Sequence, residues 1–256
     1  MIKKPKVGTR PTALLSLVLA FALASTSLAQ LPFQESFETE PGTTYNLTAF
    51  DDGGFDYLGR FAVPDTMNGA RDDFVNGWDG GFGIHGQDHD GLTDSATQNI
   101  TLNTINVDNY TNLVATIAFG ALASEAAGFD NYEAADGDGI AIFATLDGGA
   151  ATEIGRFSPP ALGANGGDGA GDLYLDPDGD GVGTGAALSA DLTDFAFPIS
   201  GTGTSLDLSI ALTSTGSFEP LALDNVRVTG ELVPEPNAFL LSAFGIVGLL
   251  ALRRRR

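Results

Sequence analysis

The chain has no cysteine. A disulfide framework, thiolate catalysis and a cysteine-based zinc site are therefore excluded, and the fold must rest on its core, with or without a bound metal. Basic residues are scarce: twelve lysines and arginines stand against 33 aspartates and glutamates, for a formal net charge of −21. Histidine occurs twice and tryptophan once. Between residues 30 and 232 there is no convincing helical stretch, and no repeat of fixed period is visible, which excludes a propeller or a solenoid.

The few basic residues are gathered at the two ends. Lys3, Lys4, Lys6 and Arg10 open the chain, and Arg253 to Arg256 close it. Between residues 30 and 234 only Arg60, Arg71, Arg156 and Arg227 remain, against every carboxylate except Glu235. Four arginines against 32 carboxylates give this stretch a formal charge of −28, with no lysine. Such a surface repels nucleic acid and anionic lipid, which argues against both as partners. It attracts divalent cations or cationic groups on a polysaccharide. Equally, it keeps an exported protein soluble and suits a saline habitat.

The basic front is the n-region of a secretory signal peptide at residues 1–29. An apolar stretch follows at 13–24, and Ser27-Leu28-Ala29 supplies a small-x-small cleavage site before Gln30. At the other end, Pro234-Glu235-Pro236 precedes an uncharged run at 238–252 and the four terminal arginines. As a helix that run reaches roughly 22 Å, short of a hydrocarbon layer of roughly 30 Å, and the arginines can snorkel to make up part of the difference. These three parts, in this order at the extreme C-terminus, resemble a PEP-CTERM sorting signal, the tripartite tag of bacterial proteins handled by an exosortase. The resemblance covers residues 233–256 only. It implies an exosortase-type processing enzyme as partner and transient anchoring of the C-terminal helix in the inner membrane, then delivery to the cell surface or extracellular matrix. The expected organisation is thus a signal peptide at 1–29, an ectodomain at 30–232 and the sorting signal at 233–256.

The ectodomain alternates with period two, broken by Gly, Asp and Asn, so about ten short strands are expected. They fall at 33–38, 43–50, 57–63, 97–107, 113–121, 140–146, 153–157, 206–212 and 221–228, with residues 77–83 too broken for a long strand. In 97–107 the apolar phase changes between Leu102 and Ile105, which predicts a bulge near Asn103. Residues 140–157, with Asp147-Gly-Gly149 between two strands, read as a hairpin. Residues 159–185 read as a long polar loop of functional or mobile character. Roughly 200 residues of this pattern are enough for one all-β domain of two packed antiparallel sheets.

Asp176-Pro-Asp178-Gly-Asp180-Gly181-Val182 places three carboxylates at alternate positions before a glycine, the spacing with which a loop wraps one hard cation. Ala187 stands where an EF-hand needs its bidentate glutamate, so a looser calcium site is expected, completed by the Val182 carbonyl. The alternative is a solvated acidic turn without metal. Glu133, Asp136 and Asp138 form a second acidic group, read as a solvent-facing turn rather than a cation site. His85 and His89 bind zinc together only on a helix, which the surrounding glycines disfavour; Asp88 and Asp90 beside them read as turn residues. No Ser-His-Asp order and no Gly-x-Ser-x-Gly elbow is present. With so many carboxylates, no particular pair stands out as a glycosidase pair. Tyr57, Trp78, Phe82, Tyr110, Tyr132 and Tyr174 are candidates for stacking on sugar rings or for the core.

Glu35-Ser-Phe-Glu38 and Leu223-Asp-Asn-Val-Arg-Val228 resemble the first and last strands of bacterial jelly-roll modules, including some carbohydrate-binding modules. The resemblance implies an antiparallel jelly-roll β-sandwich with its terminal strands side by side. It also implies a structural calcium near Glu38 and Asp224. The expected function is a non-catalytic structural or adhesive protein of the cell envelope or exopolysaccharide layer. A carbohydrate-binding module is the alternative, and a carboxylate-dependent hydrolase the third reading.

Overall fold

Period-two alternation dictates strands, and the computed structural model contains fourteen among the described residues. These residues are 33–52, 54, 56–63, 75–90, 95–121, 132–134, 136–161, 172–216, 219–233 and 253. The signal peptide lies outside them, as do the apolar run at 238–252 and Pro234, Glu235, Pro236, Arg254, Arg255 and Arg256. In chain order the strands are β1 (Phe33–Glu35), β2 (Tyr45–Leu47), β3 (Phe50–Asp51), β4 (Tyr57–Ala62), β5 (Phe82–Gln87), β6 (Thr97–Leu102) and β7 (Ile105–Asn106). They continue with β8 (Tyr110–Ala121), β9 (Gly139–Leu146), β10 (Thr152–Ser158), β11 (Tyr174–Leu175), β12 (Thr193–Pro198), β13 (Ser205–Thr213) and β14 (Leu221–Leu232).

They form two antiparallel sheets. The first runs β12-β8-β14-β5-β4-β3 with β1 also on β14; the second runs β11-β10-β9-β13-β6-β2 with β7 also on β13. The fold is therefore the all-β jelly-roll sandwich that the terminal strings imply. Facing residues of β8, β9, β13 and β14 fill the space between the sheets. Ile100, Ile210 and Ile142 are direct partners in one row of the second sheet, and each is 1% exposed or less. A fully buried side chain of this kind contributes about 1.5–3 kcal/mol. Phe119, Phe157 and Phe197 pack edge to face at the end of the core near β10 and β12.

The expected bulge near Asn103 is present. Leu206 pairs with Ile105 and Ser209 with Thr101, so the β6–β7 side has one extra residue, and Asn103 and Thr104 are both exposed. The hairpin at 140–157 is also present, turned through Asp147 and Gly148, both with positive φ, and closed by Gly149 N donating to Leu146 O.

Three expectations need correction. The stretch 43–50 is not one strand: β2 belongs to the second sheet and β3 to the first, because the chain crosses between sheets at Thr48-Ala49. Of the loop expected at 159–185, residues 162–171 lie outside the described residues, and 172–185 are not an open loop. They carry β11 and are pinned by Asp176 N on Arg156 O and Gly183 N on Pro159 O. Finally, two further strands lie outside the expected set: β12, although Phe195 and Phe197 alternate within it, and β5, which begins inside the stretch 77–83 read as too broken for a long strand.

Candidate functional site

Strand β14 pairs with β8 along one edge from Leu221 to Leu232. On its other edge it pairs first with β5 at Leu221–Leu223 and then with β1 at Val226–Val228. The handover falls at Asp224-Asn225. Leu221 and Leu223 point into the core, as do Val226 and Val228, so one residue is extra. Asn225 takes it up at φ 50, and the register with β8 shifts there. The slip turns Asp224 away from the core while leaving it fully buried.

The carboxylates of both terminal strings reach the segment leading into β5. Asp224 Oδ2 accepts Asp79 N at 2.7 Å, and its Oδ1 accepts Asn225 N at 2.6 Å. Glu38 Oε1 accepts Gly81 N at 2.8 Å and Phe82 N at 3.1 Å. Gly80 calls for glycine because its φ of 101 strains any other residue, and a Cβ there would also push Glu38 Oε1 off its amide partners. Glu35 Oε1 accepts Phe37 N at 2.6 Å and steadies the left-handed turn of Phe37 (φ 56), whose ring is in the core. Arg60 clamps the same turn, donating to Phe37 O and to Glu38 O (2.8 Å) while its guanidinium lies 3.4 Å from the Phe82 ring centre. Burial pushes the Asp224 carboxyl up to about 7; the Asp79 and Asn225 amides pull it down, and the charges of Asp79 and Glu38 push it up again. Carboxylate oxygens suit a hard cation, and a cation here would offset both the burial and the like charges that raise Asp224, although among the described residues only Asp176, Asp178 and Asp180 bring three such oxygens within 4.8 Å of one another. Asp79 is a member that the sequence reading missed, and the glycine turn Trp78-Asp-Gly-Gly81 was its only signal.

Asp176, Asp178 and Asp180 do converge: each offers a carboxylate oxygen, and these lie within 4.8 Å of one another. Asp176 is buried, while Asp178 and Asp180 are exposed. Asp176 accepts Gly179 N and Gly181 N, both at 2.8 Å, and Asp180 accepts Val182 N at 2.9 Å. Burial raises the Asp176 carboxyl, but the Gly181 and Gly179 amides with Asp178 and Ser158 outweigh it and hold the group below the usual range.

The Asp138 side of the second acidic group does not face solvent. Asp138 is 3% exposed and accepts Thr215 N and Oγ1 (both 3.1 Å) and Glu133 N (2.8 Å); burial pushes it up to about 6. Glu219, equally buried and not anticipated, also accepts Thr215 N, at 3.2 Å. Together these bonds tie the 133–138 turn to the β13–β14 connection. The histidines have separate surroundings. His85 lies between the rings of Tyr57 and Trp78, and His89 sits against Phe50 with Nδ1 3.2 Å from Leu212 O. Of the six aromatics singled out, Tyr57 and Tyr132 are buried, Phe82 lies under Arg60, and Trp78 packs where a Gly83 side chain would stand.

Two shallow grooves of about 330 and 340 Å³ run along the side where β10 and β12 approach, sharing Glu153, Ile154 and Pro198. Glu153 there is held by Arg156 through a two-pronged ion pair at 2.6 and 2.8 Å, and Asp176 by its two glycine amides.

No curated protein matches the chain in sequence. Among solved structures, it is similar to TmCBM61, determined in complex with β-1,4-galactotriose: 7% identity, 77% of this chain, 94% of that one, TM-score 0.42. It is similar also to the K2 cleaved adhesin domain of Lys-gingipain (12% identity, 77% and 96% covered, TM-score 0.40). A third is the apo cyclase from Fischerella sp. (16% identity, 82% and 100% covered, TM-score 0.45). At such identities and scores the likeness carries no functional reading. The match at the C-terminus is specific: residues 232–256 are a PEP-CTERM protein-sorting motif, the mark of an exported protein sorted to the cell surface with exosortase processing.

Proposed function

We propose that the chain is a non-catalytic structural or adhesive protein of the cell envelope or exopolysaccharide layer, with a sandwich stabilised by calcium. The observation that carries this reading is the junction of the terminal strands. Buried Asp224 stands beside Asp79 and Glu38, on the segment that joins β1, β5 and β14. A hard cation held there by Glu38, Asp79 and Asp224 fastens the chain's beginning to its end. That is the work of a scaffold. The loop of Asp176, Asp178, Asp180 and the Val182 carbonyl is the second calcium position in this reading. The apolar run before the terminal arginines anchors the protein in the inner membrane until the exosortase-type enzyme acts, after which the sandwich is released to the surface or matrix.

Calcium binding to the folded state alone raises stability by mass action, about 2.7 kcal/mol at a hundredfold excess over Kd. Millimolar calcium is therefore expected to raise the melting temperature of the full-length chain, chelator to reverse it, and Asp224→Asn to remove most of the rise. An unchanged melting temperature in wild type would sink the calcium reading.

A further inference from the structure

The outward faces of the two sheets differ. On the first sheet, Tyr57, His85, Ala118 and Ala222 point away from the core yet are all less than 9% exposed. On the second sheet the outward face is open. Asn46, Thr101, Ser209 and Phe143 stand in one row across β2, β6, β13 and β9, each the direct partner of the next, and Asn99, Ala211 and Ala141 form the adjacent row. Asn46, Asn99 and Thr101 are exposed; Ser209, Ala211, Ala141 and Phe143 are half-buried. Phe143 belongs neither to the core nor to the hydrophobics packed against it, so its ring stands on the open face, with Ser209 as its partner on one side and Glu153, neutralised by Arg156, on the other.

Charge sets this face apart. The stretch from 30 to 234 carries 32 carboxylates, yet β6, β9 and β13 hold one charged residue between them, Asp207, which accepts Thr104 Oγ1 at 2.6 Å. A solvent-facing strand surface ordinarily carries charge of both signs, and here hydroxyls and amides stand on a regular lattice instead. We infer that the outward face of β2-β6-β13-β9 binds a neutral, hydroxyl-rich polysaccharide. The Phe143 ring takes the apolar face of a sugar, and Thr101, Ser209 and Asn99 exchange hydrogen bonds with its hydroxyls. The charge pattern chooses this occupant. A cationic polymer is drawn to the carboxylates elsewhere, and an anionic one is repelled by the molecule as a whole. A second copy brings another −28 and meets a face with one large apolar side chain, too little for an interface core. The inference rests on the exopolysaccharide-layer reading above and names the class of its partner.

The test is affinity electrophoresis of the full-length chain through gels containing xylan, β-1,4-galactan, galactomannan or hydroxyethylcellulose, with polygalacturonate and chitosan as charged controls. At least one neutral polymer is expected to retard the wild type. Phe143→Ala is expected to weaken that retardation about tenfold, the equivalent of one lost aromatic contact. Thr101→Arg, at an exposed position, is expected to weaken it with no loss of melting temperature, which guards against a folding defect in the first variant. Retardation by chitosan alone, by no neutral polymer, or equally in wild type and both variants would overturn the inference. So would a wild-type dimer in sedimentation that Thr101→Arg dissociates. The calcium-dependent melting shift, read on the same samples, reports separately on the structural reading: its absence with neutral-polymer retardation intact counts against that reading alone.

Discussion

With calcium chelated, Asp224 makes stability depend on pH close to neutrality. Its carboxyl titrates at 3.8 in the unfolded chain and at about 7 in the folded one, so between those values the folded state holds a proton that the unfolded chain has lost. This contribution is full below pH 3.8 and disappears as pH rises through 7. Asp138, raised to about 6, has the same sign over a lower window. His89 has the opposite sign. Burial lowers it from 6.5 to about 4, so its contribution is full above 6.5 and is lost as pH falls toward 4. From pH 7.5 to 6.5 the carboxyl effect leads, and Asp224 alone adds on the order of 1 kcal/mol, or about 2–4 °C in melting temperature. Thermal melts in chelator are therefore expected to rise over that unit of pH in wild type and to stay nearly flat in Asp224→Asn. A fall in the wild type would contradict the buried, repelled state of Asp224. If calcium binds as proposed, saturating calcium is expected to reverse the dependence, because the proton then competes with the metal.

At the scale of strands, β13 is the keystone of the second sheet, paired with β9 on one edge and with β6 and β7 on the other. Ile210→Ala removes the middle of the Ile100–Ile210–Ile142 row and is expected to cost about 2–5 kcal/mol in urea unfolding. Ala211→Ser, one residue on and facing outward, is expected to cost less than about 0.5 kcal/mol. Near-equal costs would place β13 wrongly. Strands like this one were legible because every second residue from Leu206 to Leu212 is a large aliphatic. The Asn103 bulge was legible for the same reason, as a change of phase. The corresponding slip in β14, from Leu223 to Val226, leaves the same kind of mark but was not read from it, and it shapes the Asp224 site. Where signals failed, the chain was using few residues for much work. Two phenylalanines are the whole apolar content of β12 apart from Ala196, and two residues, Thr48 and Ala49, carry the chain from one sheet to the other. Asp79, Asp138 and Glu219 were obscured for a different reason. In so acidic a sequence, a carboxylate that is buried and hydrogen-bonded looks like any other until its amide partners, distant in sequence, are brought beside it.

For the whole molecule, the formal charge of −28 between residues 30 and 234 means that folding concentrates like charge. Monovalent salt screens part of that repulsion, over about 10 Å at 0.1 M. In chelator, adding sodium chloride is expected to raise the melting temperature modestly. Calcium at matched ionic strength is expected to raise it well beyond that increment, and equal rises would assign the calcium effect to screening rather than to sites. The topology has a consequence in time. β14 is the last strand of the sandwich, yet it lies inside the first sheet, with β8 on one side and β5 and β1 on the other. A chain threaded outward from its N-terminus lacks the keystone of the second sheet until residue 213 has emerged, and the first sheet has no centre until residue 232 follows. Only Val233 separates that strand from Pro234. The sandwich thus closes only when nearly all of residues 33–232 are in place, and a chain cut short ahead of its sorting motif lacks the centre of both sheets or of the first.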